Sequence, residues 1–439
     1  MLKLYTIVNF KNIFVSHLIN IAILSISIVA VYRNIGKLEF QMQWDDYWVV
    51  INKFTDSGFQ TENVYNVLSE FYHGQYSPVN ELYYITIKTI WGYDPFYFHI
   101  SSLFIHLIDT LLVYSFIGRI CKRYFFKEIK SSWNVPLKTA LIFGIHPINS
   151  EAVAWIAASK IPLYACFYLI SIHFYLYYLD KKGVKYILLT LLFYIISFGA
   201  KEQAVTLPLT LLLLDYLEKR NLTCNKVILE KIIFFSLSIC FGIITIQSQG
   251  QVSSGYFDEY NIFERLPLSI FTLNEYVCKA LIPINLCYVY PFPFSPGEKI
   301  PLWLWLYPAG YLTMIILIWK NISSSRVVNF ASAFSLVHIA VALNLFSLTR
   351  HSLIADRYAY LFVIAIAFLL IFLSHNVAEM FYRQQQLTFG VYIYAVLLAT
   401  YTYARIPVWQ NSKSLKKDVS EKIKNREDYK LLERLYEDQ

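Results

Sequence analysis

Charge is scarce in this sequence. Asp, Glu, Lys and Arg make up 15% of its 439 residues, where soluble domains carry about a quarter. The six cysteines (Cys121, Cys166, Cys224, Cys240, Cys278 and Cys287) contain no Cys-x-x-Cys pair, so neither a disulfide framework nor a metal site is indicated. The short alternating segments of a membrane β-barrel are missing. There is no internal repeat and no low-complexity tract. No small-residue cleavage site follows the first apolar run, which is therefore expected to remain as a span rather than to be a removed signal peptide. Basic residues are spread between apolar runs instead of gathering on one face, which excludes a nucleic-acid surface as the first reading. The net charge of +8 suits anionic lipid heads.

What is present is apolar length. Hydrophobic residues are 57% of the chain and aromatic ones 18%, and the mean hydropathy is +0.45. A spanning helix needs about 20 apolar residues, and backbone in lipid must satisfy its own hydrogen bonds, so these segments are predicted to be helices. The runs 13–32, 99–118, 138–156, 161–179, 186–200, 202–217, 232–247, 302–319, 328–346, 358–374 and 389–405 predict about eleven spans. The run 267–284 holds Glu275 and Lys279 and reads as an interfacial or re-entrant helix. With the N-terminus inside, the inner segments are richer in Lys and Arg than the longer outer loops. The positive-inside rule then puts the long first loop, 33–98, and the tail after the last span outside. The expected site is an integral membrane location, bacterial inner membrane, with the N-terminus cytoplasmic and the first loop and C-terminus periplasmic. The expected domains are a polytopic membrane unit, 1–407, and a short charged extracytoplasmic helix, 408–439.

The candidate chemical residues fall on that outer face. Asp45 and Asp46 lie in WDDYW, just after the first span. Charge repulsion in an adjacent acidic pair raises one pKa, which suits a general base, though two solvated loop acids would leave the same pattern. FGIHPINSEAVAW carries His146 and Glu151, with Pro147 ending the regular helix; a polar helix cap is the plainer reading. SFGAKEQAVTLP carries Lys201 and Glu202, which could equally be a structural ion pair. SLIADRYAYLF carries Asp356 and Arg357, and arginine there can meet a phosphate bidentately or simply snorkel. His106 and Asp109 share a helix face inside a span and read as a packing hydrogen bond.

Several stretches resemble the multi-spanning C-superfamily glycosyltransferases, more narrowly the transmembrane and tetratricopeptide-repeat O-mannosyltransferases and their bacterial relatives. They are WDDYWVVIN, YSPVNELYYITIKTIWGYDPFYFHISSLFIHL, FGIHPINSEAVAWIAA, GAKEQAVTLPLTLLLLDYL and ADRYAYLF, in the family's order. The resemblance implies an all-α polytopic membrane protein of the GT-C type. It also implies a polyprenyl-phosphate-linked sugar donor, mannose in the family's name, and inverting transfer on the outer face to a protein (Ser/Thr) or glycan acceptor. The family's loop acid matches Asp45 or Asp46 as base. Its phosphate-holding bases match Lys201 and Arg357 by position. His146, Glu151, Glu202 and Asp356 would support them. No cofactor and no essential metal are expected, because lysine and arginine can neutralise a monophosphate. The tail WQNSKSLKKDVSEKIKNREDYKLLERLYEDQ resembles the start of the repeat segment of the eukaryotic members. The rival readings are a lipid or solute transporter, whose polar site would sit near mid-bilayer between inverted repeats, and an O-antigen ligase or polymerase.

Overall fold

The computed structural model describes residues 2–129, 133–249, 260–294, 298–313, 325–343, 345 and 352–423, with side chains from residue 15 onward. The predicted spans 302–319 and 328–346, the loop 248–301 and the tail 408–439 each lie partly outside the described residues. Among the described residues the chain is helical and has no strand. We label α1 Leu2–Val31, α2 Pro78–Trp91, α3 Pro95–Tyr124, α4 Val135–Gly144, α5 Lys160–Lys181, α6 Val184–Ala200, α7 Leu207–Leu217, α8 Asn225–Gln249, α9 Ile262–Leu281, α10 Arg326–Ile339, α11 Tyr360–Met380, α12 Gln384–Arg405 and α13 Ser412–Ile423.

Six helical stretches among the described residues are long and apolar enough to cross a membrane: Val15–Lys37, Pro95–Tyr124, Ile156–Lys181, Asn225–Gln249, Asp356–Met380 and Gln384–Trp409. Their exposure shows what they face. The Ile156–Lys181 stretch is 83% buried and forms the centre, whereas Asn225–Gln249 is only 17% buried. That helix presents Ile228, Leu229, Ile232, Ile239, Ile243 and Ile246 outward, a surface that water would not tolerate and lipid does.

Among the described residues the other apolar helices are shorter: Val135–Gly144, Val184–Ala200 and Arg326–Ala342. The run 138–156 breaks: α4 stops at Gly144, and Pro147, with no N–H to continue the ladder, opens a 3₁₀ turn followed by the short helix Ser150–Ala154. The run 202–217 is a 3₁₀ turn, Glu202–Thr206, leading into α7. A helix of ten residues rises about 15 Å, half of the roughly 30 Å hydrocarbon layer. The run 267–284 is α9, started by a full capping box between Asn261 and Glu264.

The first loop is built, not loose. Asn52 accepts the N–H groups of Phe54 and Thr55 and so starts the helix Lys53–Ser57. Gly58, at φ 66°, ψ −151°, turns the chain into Thr61–Ser69, a conformation open to glycine alone. Asn63 donates to the Phe54 and Gly58 carbonyls at 2.7 Å, and Phe54, Val67 and Ile85 close a small core against α2. The bundle therefore has two polar ends. Where α3 begins, it meets the first loop. Where α3, α5 and α7 finish, Arg119, Arg123, Asp180 and Glu218 pair with one another.

Candidate active site

Five chain segments converge at the end of the bundle that carries the first loop. Arg357 sits in the 3₁₀ turn Asp356–Ala359 that starts α11, because the extended Ala355 redirects the chain there. Its guanidinium forms an ion pair with Glu151, from the short helix Ser150–Ala154. Glu151 is 1% exposed, and its Oε2 has no hydrogen-bond partner among the described residues. The guanidinium carbon lies 5.4 Å from the Trp155 ring, 6.0 Å from Tyr288 and 5.0 Å from Tyr358. Lys201 Nζ lies 6.0 Å from the same Tyr358 ring and pairs with Glu202. Both predicted phosphate-holding cations thus lie within 6.0 Å of the Tyr358 ring. The charge of Asp45 reaches the Arg357 guanidinium as a minor contribution, and Asp45 Oδ1 accepts from Trp48 Nε1 at 3.3 Å.

The adjacent acids have different surroundings. Asp46 is fully buried. Its Oδ2 accepts the Gln41 N–H at 2.7 Å and its Oδ1 the Ala157 N–H at 2.9 Å. It staples the first loop to the turn before α5, with both oxygens occupied. Burial pushes its pKa up to about 7, the two backbone donors pull it down, and repulsion from Asp45 is a smaller contribution. Repulsion alone was the sequence argument; desolvation dominates in the fold. Asp45 is only half-buried.

Asparagine at position 46 would offer one acceptor where two N–H groups need one each. Asp46→Asn is expected to lower stability by about 1–3 kcal/mol, the cost of an unsatisfied buried group, read as a drop in Tm in detergent. The pH sign follows from the raised value. A carboxyl with a folded pKa of about 7 binds its proton more tightly folded than unfolded, so stability falls as pH rises from about 4 to about 7. Asp46→Asn should flatten that slope; an unchanged slope would show that another group produces it.

The supporting residues are placed as follows. His146 donates through Nε2 to the Ala280 carbonyl at 3.0 Å and accepts the Ile148 N–H at Nδ1; it caps the Pro147 turn and ties it to α9. Asp356 accepts from Tyr290 Oη at 2.7 Å. Those contacts orient the turn carrying Arg357. His106 and Asp109 share Tyr360 Oη, at 2.6 and 2.8 Å, deep among α3 and α11, with no exposure.

Sequence reasoning passed over four contributors. Tyr288, Trp155, Trp409 and Trp44 form an aromatic box beside Arg357, with Trp155 stacked on Trp409 at 5.9 Å and Trp44 edge-on to Tyr288 at 4.8 Å. A tryptophan in FGIHPINSEAVAW or in the tail carries no distance signal until the segments meet. Glu81 was missed too. It accepts from Asn52 at 3.1 Å, burial pushes it up to about 7, and it lines a water-sized cavity with Trp48, Tyr72 and Gln75. The tail is part of this architecture: Arg405 pairs with Asp418 of α13 at 3.0 Å, Gln41 Nε2 donates to the Trp409 carbonyl at 2.8 Å, and Leu415 and Val419 are buried. Among the described residues no three His, Cys, Asp or Glu side chains gather as metal ligands would.

No family model matches the chain. Distant homologues are nevertheless named. A protein O-mannosyl-transferase of Caenorhabditis elegans is 22% identical over 357 residues, 78% of this chain and 48% of that protein. The protein O-mannosyl-transferase TMTC1 of Homo sapiens is 32% identical over 113 residues, 26% of this chain and 12% of its own length. TMTC1 of Mus musculus is 31% identical over 110 residues, 25% and 11% of the two chains. The chain spans about half the length, or less, of these relatives. Their names support a glycosyltransferase relationship, and the six long apolar helices suggest an integral membrane protein.

Proposed function

We propose that this protein is an inverting membrane glycosyltransferase of the GT-C type that moves a sugar, mannose by its relatives' names, from a polyprenyl-phosphate donor to an acceptor hydroxyl. The observation that carries the reading is that Arg357 and Lys201 share the Tyr358 ring and that the charge of Asp45 reaches Arg357. Asp45 takes the proton of the acceptor hydroxyl as its oxygen bonds to the anomeric carbon. The bond from that carbon to the phosphate oxygen breaks, and the polyprenyl phosphate leaves with the electron pair. Arg357 and Lys201 offset the charge that develops on the leaving group. Glu151, Glu202, Asp356 and His146 position those cations, and Asp46 positions Asp45. No metal is assigned to the step. A protein serine or threonine is the acceptor the relatives' names favour.

In this reading about eleven segments lie in the bilayer of a bacterial inner membrane, the shorter helices crossing in company with their neighbours. The N-terminus is cytoplasmic. The first loop, the site and the 408–439 tail are periplasmic. The direct test supplies a radiolabelled polyprenyl-phosphate mannose to the chain in proteoliposomes with a serine/threonine-rich peptide. Label should pass to the peptide with inverted configuration. Label that crosses the bilayer while still attached to lipid would favour a flippase instead.

The orientation has its own test. With Cys224, Cys240 and Cys278 changed to serine, Thr61→Cys and Lys413→Cys should react with an impermeant maleimide in intact cells, while Lys127→Cys should need permeabilisation. The reverse pattern would put the site on the wrong face for this chemistry.

A further inference from the structure

The opposite end of the bundle holds a second polar site that the transfer chemistry does not use. α3 is 30 residues long, about 45 Å, so its C-terminal end lies a bilayer's depth from the first loop. There, a pocket of about 450 Å³ opens between the ends of α3 and α7 and the start of α10. Arg123, Lys127, Lys219 and Arg326 line it, together with Glu128 and Glu218.

The charges inside this pocket do not cancel. Glu218 is fully engaged: it takes Arg123 bidentately at 2.7 and 2.9 Å and the Tyr124 hydroxyl at 2.9 Å. Arg123 is further held by Asp180. Arg326 spends one nitrogen on the Leu217 carbonyl at 2.8 Å, which fixes its direction across the pocket wall. Lys127 and Lys219 are exposed and form no ion pair among the described residues. The surplus is therefore cationic, three groups against Glu128. Glu128 itself has an Oε2 with no hydrogen-bond partner among the described residues. At the pocket mouth Phe126 is 64% exposed, an apolar ring of the kind that anchors at the lipid interface.

We infer that this pocket binds the headgroup of a glycerophospholipid that carries a hydrogen-bond donor beyond its phosphate, with phosphatidylethanolamine the best fit. Lys127, Lys219 and Arg326 take the phosphate by charge-assisted hydrogen bonds. Glu128 accepts from the ammonium group. Phe126 lies against the glycerol and the first acyl carbons. A phosphatidylcholine would satisfy the cations but offers Glu128 no N–H.

The test is lipid retention by the full chain in native mass spectrometry. It uses dioctanoyl forms of phosphatidylethanolamine, phosphatidylcholine and phosphatidic acid, with inorganic phosphate as competitor, and does not depend on transferase activity. Wild type should hold the ethanolamine lipid at least about tenfold better than the choline lipid. The double variant Lys127→Glu, Lys219→Glu should lose about tenfold or more of all three lipids while its Tm in lipid-free detergent stays unchanged. Glu128→Gln should lose the preference for ethanolamine over choline and keep phosphatidic acid. Equal retention of ethanolamine and choline lipids by wild type, or full retention by the double variant, overturns the assignment. So does displacement by millimolar inorganic phosphate, which would make the site one for a free anion.

Discussion

Asp45→Asn is expected to lower single-turnover transfer by about 10²–10⁴-fold, the contribution of a positioned general base, with donor affinity nearly unchanged. Asparagine keeps the size of the side chain and the acceptor for Trp48 Nε1. It cannot take the acceptor hydroxyl's proton. The measurement is a rapid-quench single turnover with saturating donor, which removes product release from the reading. Asp46→Asn is the companion: its loss should appear in stability first, because both of its oxygens hold backbone N–H groups. Loss of the chemical step in Asp46→Asn alone, at full folding, would move the base to Asp46. Near-normal rates in both would remove the first loop from the chemistry and return the transporter reading to first place.

Arg357→Ala is expected to weaken donor binding by roughly 10- to 100-fold, the worth of about 1.5–3 kcal/mol for a charge-assisted hydrogen bond. Glu151 complicates a bare reading. It is buried against Arg357, and an abandoned buried carboxylate costs several kcal/mol of stability on its own. The double variant Arg357→Ala, Glu151→Gln removes that stranded charge. Folding should recover in the double variant while donor binding does not. Tm reports the first, and binding titrated with a non-transferable polyprenyl phosphate the second. Recovery of donor binding together with folding would show that Arg357 only neutralises Glu151 and never meets the phosphate.

The membrane reading and the helical class were legible because both follow from local quantities. A long apolar run in a chain with 15% charge has one stable solution in lipid, a helix. WDDYW and ADRYAYLF stood out as candidates because acids and bases beside apolar runs are costly unless they are used or paired. Span count was harder. The run 138–156 is mostly apolar by composition, yet Pro147 breaks it, and 202–217 divides into a turn and an eleven-residue helix. Hydropathy averages over such breaks.

The sequence by itself determined that this protein is an integral membrane bundle with an acid pair, two candidate phosphate-holding cations and their supporting residues on adjoining segments. Those are properties of composition and of neighbours along the chain. Only the tertiary structure decided that Asp46 is captured by backbone donors from Gln41 and Ala157, 111 residues apart in the second case, and that Asp45 is not. It also decided that Glu151 guards Arg357 across 206 residues and that Trp409 of the tail closes the aromatic box. Burial and long-range hydrogen bonds set those outcomes, and neither quantity exists until distant segments pack.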